Sequence, residues 1–144
     1  MENILITLEL GEHTEYLLDK AEELTHLQGA KVWLLHVAAP DPEFVGYAAG
    51  PQYIRDFRAD ELKQEHKMLQ EYAQRFKDRG VDSEGLVIPG ATIEMIMKES
   101  EKLEADLIIT GHQSHGFMYT MFFGSVSKNI VSQSKVPVMV VPFG

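Results

Sequence analysis

The residues best suited to chemistry lie late in the chain, at Gly111-His112-Gln113-Ser114, followed after nine residues by Gly124-Ser125. Glycine at Gly111 and Gly124 lets a backbone approach a polyanion with no Cβ in the way. A helix starting at Gly124-Ser125 offers unpaired N–H groups and a positive dipole end, a setting that suits phosphate. The Ser125 hydroxyl adds one more donor. A tight strand–helix turn with Ser125 as its N-cap would use the same residues, and Ser114 also reads as an ordinary loop serine. Much earlier, Thr7 and Glu9 close an apolar run, where Glu9 is either a ligand contact or a solvated carboxylate at a strand end. His112 and His115 are three residues apart but have no thiol and no well-placed carboxylate beside them, so no metal site is expected.

The elements that must position these residues follow from periodicity. Ile4-Leu5-Ile6-Thr7-Leu8 reads as a first strand, and its near-continuous apolarity predicts cover on both faces. A helical period from Thr14 carries Leu17, Ala21, Leu24 and Gln28 on one side, with Thr14 as N-cap and Gly29 as stop signal. Lys31 to Val37 is the second strand, on which His36 is expected to be a satisfied core histidine. The Pro- and Gly-rich stretch from Ala39 to Pro51 reads as a long functional loop.

A charged helix from about Arg55 to Arg79 follows, with an inward stripe of Leu62, Leu69, Tyr72, Ala73 and Phe76. Gly80 ends it. Gly85 to Ile88 is the third strand. Thr92 caps a helix whose inward face is Ile93, Ile96, Met97, Ser100 and Leu103. Asp106 to Thr110 is the fourth strand. A last helix from Gly124-Ser125 buries Val126, Ile130 and Val131, and Val136 to Val141 is the fifth strand.

Alternating strands and helices imply a doubly wound, Rossmann-like parallel sheet of order 3-2-1-4-5, with right-handed crossovers and helices on both faces. Pro137 lacks a ladder donor, which places the fifth strand at an edge. An apolar edge invites pairing with the same strand of a second copy, so a homodimer through Val136 to Val141 is expected.

Length and composition bound the rest. With 144 residues, 44% hydrophobic and 24% charged, the chain suits one globular domain over 1–144. A formal charge of −9 disfavours nucleic acid and anionic membrane as main partners. There is no cysteine for disulfide or thiolate chemistry, and no apolar run predicts membrane insertion. No basic leader precedes the first strand, so cytoplasmic residence is the expectation.

With the strand order in hand, the late loop resembles the Gly-x2-Gly-x9-Gly-(Ser/Thr) signature of the universal stress protein family. Leu34-Leu35-His36-Val37, Asp106-Leu107-Ile108-Ile109-Thr110-Gly111 and Val136-Pro137-Val138-Met139-Val140-Val141 also match that family. The resemblance spans essentially the whole chain. It implies a cytoplasmic, dimeric stress-response module, of which one branch binds ATP and another does not.

Carried over, Gly111 and Gly124 would line the phosphates, with Ser125 and the Val126 N–H bonding phosphate oxygens and Ser114 as a further candidate contact. Val37 would contact adenine, and Glu9 would replace an aspartate near the nucleoside. Thr7 and His112 complete the candidate nucleotide site, with ATP, accompanied by magnesium, as the implied cofactor. Ser114 stands where the signature has its second glycine, and Glu9 is one methylene longer than aspartate. These departures define the alternative, a nucleotide-free interaction scaffold. A slow ATPase is a third reading, although the chain has no Gly-x4-Gly-Lys-(Ser/Thr) loop and no evident general base.

Overall fold

The computed structural model describes residues 2–38, 52–112 and 126–143, and the side chains from residue 59 onward in the second of these stretches. In chain order the elements are β1 (Asn3–Thr7), α1 (Thr14–Leu24), β2 (Lys31–Ala38), α2 (Gln52–Asp78), β3 (Asp82–Pro89), α3 (Thr92–Lys102), β4 (Leu107–His112), helix α4 over 126–133, and β5 (Val138–Pro142). The five strands form one parallel sheet in the order β3-β2-β1-β4-β5. This is the architecture expected from the alternating pattern, with β5 at an edge. Pro137 sits one residue before β5, and its carbonyl accepts from the Ile108 N–H at 3.0 Å.

Side-chain alternation along the strands builds two cores. Ile4, Ile6, Val32, Leu34 and Ile109 meet Leu17, Leu18 and Ala21 of α1 and Leu69, Ala73 and Phe76 of α2. On the other face, Leu5, Leu35 and Ile108 meet Ile96 of α3 and Ile130 of α4. Every β1 residue from Ile4 to Thr7 is buried, as a strand covered on both faces must be.

The helix ends depart in part from the sequence reading. Thr14 and Thr92 are first helical residues rather than N-caps; those positions are His13 and Ala91, and neither makes a side-chain cap bond. The Thr14 hydroxyl instead accepts from the Gly11 N–H at 3.0 Å, tightening the turn that leads into α1. Gly29 lies beyond α1, which already ends at Leu24 with Thr25 as C-cap. Gly80 does end α2: its N–H bonds the Lys77 carbonyl, and the Val81 N–H reaches back to Phe76 O at 2.9 Å. That paired closure, with Val81 packed in the same core as Phe76, is a Schellman cap. Leu24 and Val131, read as inward-facing, are 58% and 54% exposed. Thr14 and Leu18 complete the buried face of α1 instead.

Asp106 ties the amino ends of β1 and β4 together. Its carboxylate accepts from the Glu2 and Asn3 N–H groups at 2.8 and 2.9 Å. The bonds from Asn3, then Glu2, hold the carboxyl below the usual aspartate range. A depressed folded-state value contributes stability above the unfolded value that is lost as pH falls through the folded one. Thermal unfolding of Asp106→Asn is therefore expected to show a flatter acid limb than the wild type below about pH 4. Identical acid limbs would contradict this role.

Ser83 is 1% exposed on β3, and its hydroxyl has no hydrogen-bond partner. Burying an unpaired hydroxyl is costly, so Ser83→Ala is expected to stabilise the fold by about 1 kcal/mol in denaturant titration. A loss of stability would show that the hydroxyl is satisfied in solution.

Candidate functional site

The strand order reverses between β1 and β4, which makes their carboxyl ends the switch point where doubly wound folds bind ligands. Leu5 and Ile108 belong to the core beneath α3 and α4, so two residues further along Thr7 and Thr110 face the same side. Their hydroxyls hydrogen bond at 2.9 Å, and both residues are buried. Two hydroxyls sharing one hydrogen leave a second for another acceptor. Thr110 was not singled out by sequence, yet its place two residues after Ile108 in β4 carries the same parity that puts Thr7 beside it.

Beyond Thr7 the chain leaves the ladder. The Leu8 N–H bonds Leu35 O at 2.8 Å, and Leu10 takes a left-handed φ of +45° before Gly11. For a branched residue that conformation is costly and holds only where the surroundings enforce it. Glu9 lies between these two fixed points. Its side chain reaches solvent, but crowding by neighbouring protein strips part of its hydration and raises its carboxyl above the usual range, with His36 pulling in the opposite direction. A partly desolvated carboxylate at a strand end is ready to accept hydrogen bonds from hydroxyl or amine donors.

A cavity of about 70 Å³ opens at these strand ends, with Thr7, Glu9, Thr110 and Gly111 along it and His13, Leu17 and Phe143 closing it on the α1 side. Phe143 stacks on the His13 ring with centroids 4.7 Å apart, and Tyr16 meets it edge-on. A Cβ on Gly111 would lie 2.0 Å from the Phe143 ring. The missing side chain at Gly111 thus has a structural reason besides the phosphate approach expected from sequence: it admits the aromatic ring. Nothing in local periodicity signalled His13 or Phe143, because their pairing spans nearly the whole chain.

Val37 and Val126 are half-buried and pack on the same core as Leu5 and Ile108, which puts them on the face that Thr7 and Thr110 share. His112 is tied to the beginning of α4, its Nδ1 lying 2.8 Å from the buried Ser127 Oγ. The structure therefore gathers Thr7, Glu9, Val37, Gly111, His112 and Val126 around the carboxyl end of the sheet. Ser114, His115, Gly124, Ser125 and the Phe117 to Phe123 stripe fall outside the described residues, as does the segment from Ala39 to Pro51. Among the described residues no group of three or more potential metal-binding side chains is assembled. None of the described helices is long and apolar enough to cross a membrane.

The model of the universal stress protein family matches residues 1–142. The chain belongs to the universal stress protein family. The stress response protein NhaX of Bacillus subtilis is 24% identical over 121 residues, covering 84% of this chain, which in turn spans 66% of that relative's length. The solved structure of MJ0577, a universal stress protein of Methanocaldococcus jannaschii, superposes with a TM-score of 0.79 at 24% identity, covering 99% of this chain and 96% of that one. A universal stress protein family protein from Arabidopsis thaliana, solved with AMP bound, superposes with a TM-score of 0.67 at 18% identity, covering 100% and 93%.

Proposed function

We propose that this universal stress protein binds an adenine nucleotide at the carboxyl ends of β1 and β4 and acts as a dimeric regulatory module in the stress response. The observation that carries the reading is the reversal of strand order between β1 and β4, where Glu9 and the hydrogen-bonded Thr7 and Thr110 line one cavity. A carboxylate there suits the hydroxyls of a ribose. The AMP bound to the Arabidopsis family member supports an adenine nucleotide as the ligand class. Val37 would wall the base, and the Gly111 backbone and the Val126 N–H would approach the phosphates. Ser114, Gly124 and Ser125 would complete the phosphate end and decide between AMP and magnesium-bound ATP.

Calorimetric titration of AMP and of ATP with magnesium, on the wild type and on Ser114→Gly, tests the reading. Micromolar binding by the wild type is expected. Binding regained only by Ser114→Gly would support a scaffold whose nucleotide site serine has closed, and silence in both would defeat the nucleotide reading.

The dimer would form through the outer edge of β5. Val140 on that strand is 38% exposed and Val131 on the adjoining α4 is 54% exposed, an apolar margin beside unpaired strand edge. Sedimentation of the wild type should give a dimer, and Val140→Asp should shift it to monomer. A wild-type monomer at all concentrations would contradict the assembly.

A further inference from the structure

His36 stands near the carboxyl end of β2 and makes two contacts that come from different elements. Its Nδ1 lies 2.8 Å from the Leu8 carbonyl oxygen. A carbonyl only accepts, so Nδ1 carries a hydrogen. The opposite nitrogen, Nε2, lies 3.6 Å from Oε2 of Glu65 on α2. That oxygen is buried with no hydrogen-bond partner, and the two side chains are only 13% and 25% exposed. At that distance the two form an ion-pair contact rather than a hydrogen bond, attractive whenever the ring carries its second proton. β3 contributes apolar Val87 at the same register. Among the described residues, Glu65 of α2 lies against the ring and Glu9, in the turn after β1, interacts with its charge.

The Leu8 N–H is already held by Leu35 O, so β2 grips both backbone groups of the residue before Glu9. Leu10 on the other side is fixed in its left-handed conformation. The direction in which Glu9 leaves the chain is therefore set from β2.

We propose that His36, clamped between Glu65 and the Leu8 carbonyl, is a positioning residue that aims Glu9 at the ligand and couples α2 to the switch-point site. The clamp rests on the nucleotide reading only for what Glu9 contacts; the clamp itself exists in the free protein. Its consequence is regulatory. Any shift of α2 that withdraws Glu65 loosens the imidazole, and with it the residue that meets the ligand.

Two readouts separate the clamp from that reading. The first uses free protein: the ¹³C carboxyl titration of Glu9 in the wild type, His36→Gln and Glu65→Gln. Glutamine at 36 keeps a donor for Leu8 O but cannot carry the charge. His36→Gln is expected to move the Glu9 midpoint upward, because the His36 charge that lowers it is removed, and Glu65→Gln, which frees the ring from α2, is expected to shift the midpoint as well. Unchanged midpoints in folded variants overturn the proposal, whatever nucleotides do.

The second is AMP calorimetry on the same proteins, with affinity expected to fall by about tenfold, the effect of one charge-assisted hydrogen bond. Wild-type affinity in both variants also overturns the proposal. If AMP binds to none of them, the nucleotide reading fails while the Glu9 titration still decides the clamp. Should His36→Gln unfold, Glu65→Gln alone decides by the same two readouts.

Discussion

Replacing Gly85 with alanine is expected to cost about 2–3 kcal/mol in denaturant titration, the upper part of the range for overpacked interiors. A Cβ at Gly85 would stand 2.8 Å from Leu69 Cβ and 2.9 Å from the Leu69 carbonyl carbon and oxygen. Two of those three atoms are helix backbone, which cannot rotate away as a side-chain tip can. Neither can α2 withdraw easily, because Leu69, Ala73 and Phe76 are fully buried against the sheet and Gln70 donates to the Gly85 carbonyl at 3.1 Å. The contact is where α2 lies flush on β3, so the methyl would act as a wedge between them. Gly111→Ala offers the contrast. Its clash is with the Phe143 ring, a side chain rather than helix backbone, so it is relieved at the expense of the His13 stacking, and its cost should vanish in a Phe143→Ala background. A loss below about 0.5 kcal/mol for Gly85→Ala, no more than an ordinary surface substitution gives, would show that α2 and β3 slide apart freely.

Glu9→Gln is expected to weaken AMP binding by about tenfold to a hundredfold, the range for losing hydrogen bonds to an ionised group. The pH dependence has a definite sign. Crowding raises the Glu9 carboxyl, so folding favours its protonated form, and the stability it contributes is lost as pH rises from the ordinary glutamate value through the raised one. Hydroxyl donors on a ligand favour the ionised form, so affinity for the nucleoside should increase with pH across that same window. Calorimetry with adenosine, which has no phosphate to titrate, from about pH 4 to pH 7 reads it directly: a rising affinity in the wild type and a flatter one in Glu9→Gln. An affinity that falls with pH, or a glutamine variant that binds as well as the wild type, would remove Glu9 from the site.

The sheet order was legible because each strand announced itself by an apolar run and each crossover by a helical period. The edge position of β5 was read from Pro137, which lies one residue before the strand, so the edge was right while its reason was not. Packing interiors were legible where a stripe was long, as with Leu69, Ala73 and Phe76 on α2. Short helices were harder: with only 11 residues in α1, Leu24 and Leu18 are equally apolar, and tertiary contact alone decides that Leu18 is buried and Leu24 is not. The caps failed for a related reason, since a threonine hydroxyl serves a helix N–H or a preceding turn with similar ease, and at Thr14 the turn won.

At the candidate site, the strand-end positions of Glu9 and Gly111 were legible from the apolar runs that precede them. His36 was legible only as a satisfied histidine. Its partners, Leu8 and Glu65, lie 28 and 29 residues away in the chain, beyond the reach of any local pattern. Phe143 was invisible for the same reason, although the glycine that admits it was read as a phosphate residue.

Whether the carboxyl ends of β1 and β4 hold an adenine nucleotide is decided by an amide and methyl chemical-shift titration of the wild-type protein with AMP. Saturable shifts are expected at Thr7, Glu9, Val37, Thr110, Gly111 and Val126, with the amino end of the sheet around Asp106 unaffected. An absence of shifts at millimolar AMP, or shifts confined to residues away from the carboxyl ends of β1 and β4, would contradict a nucleotide site there.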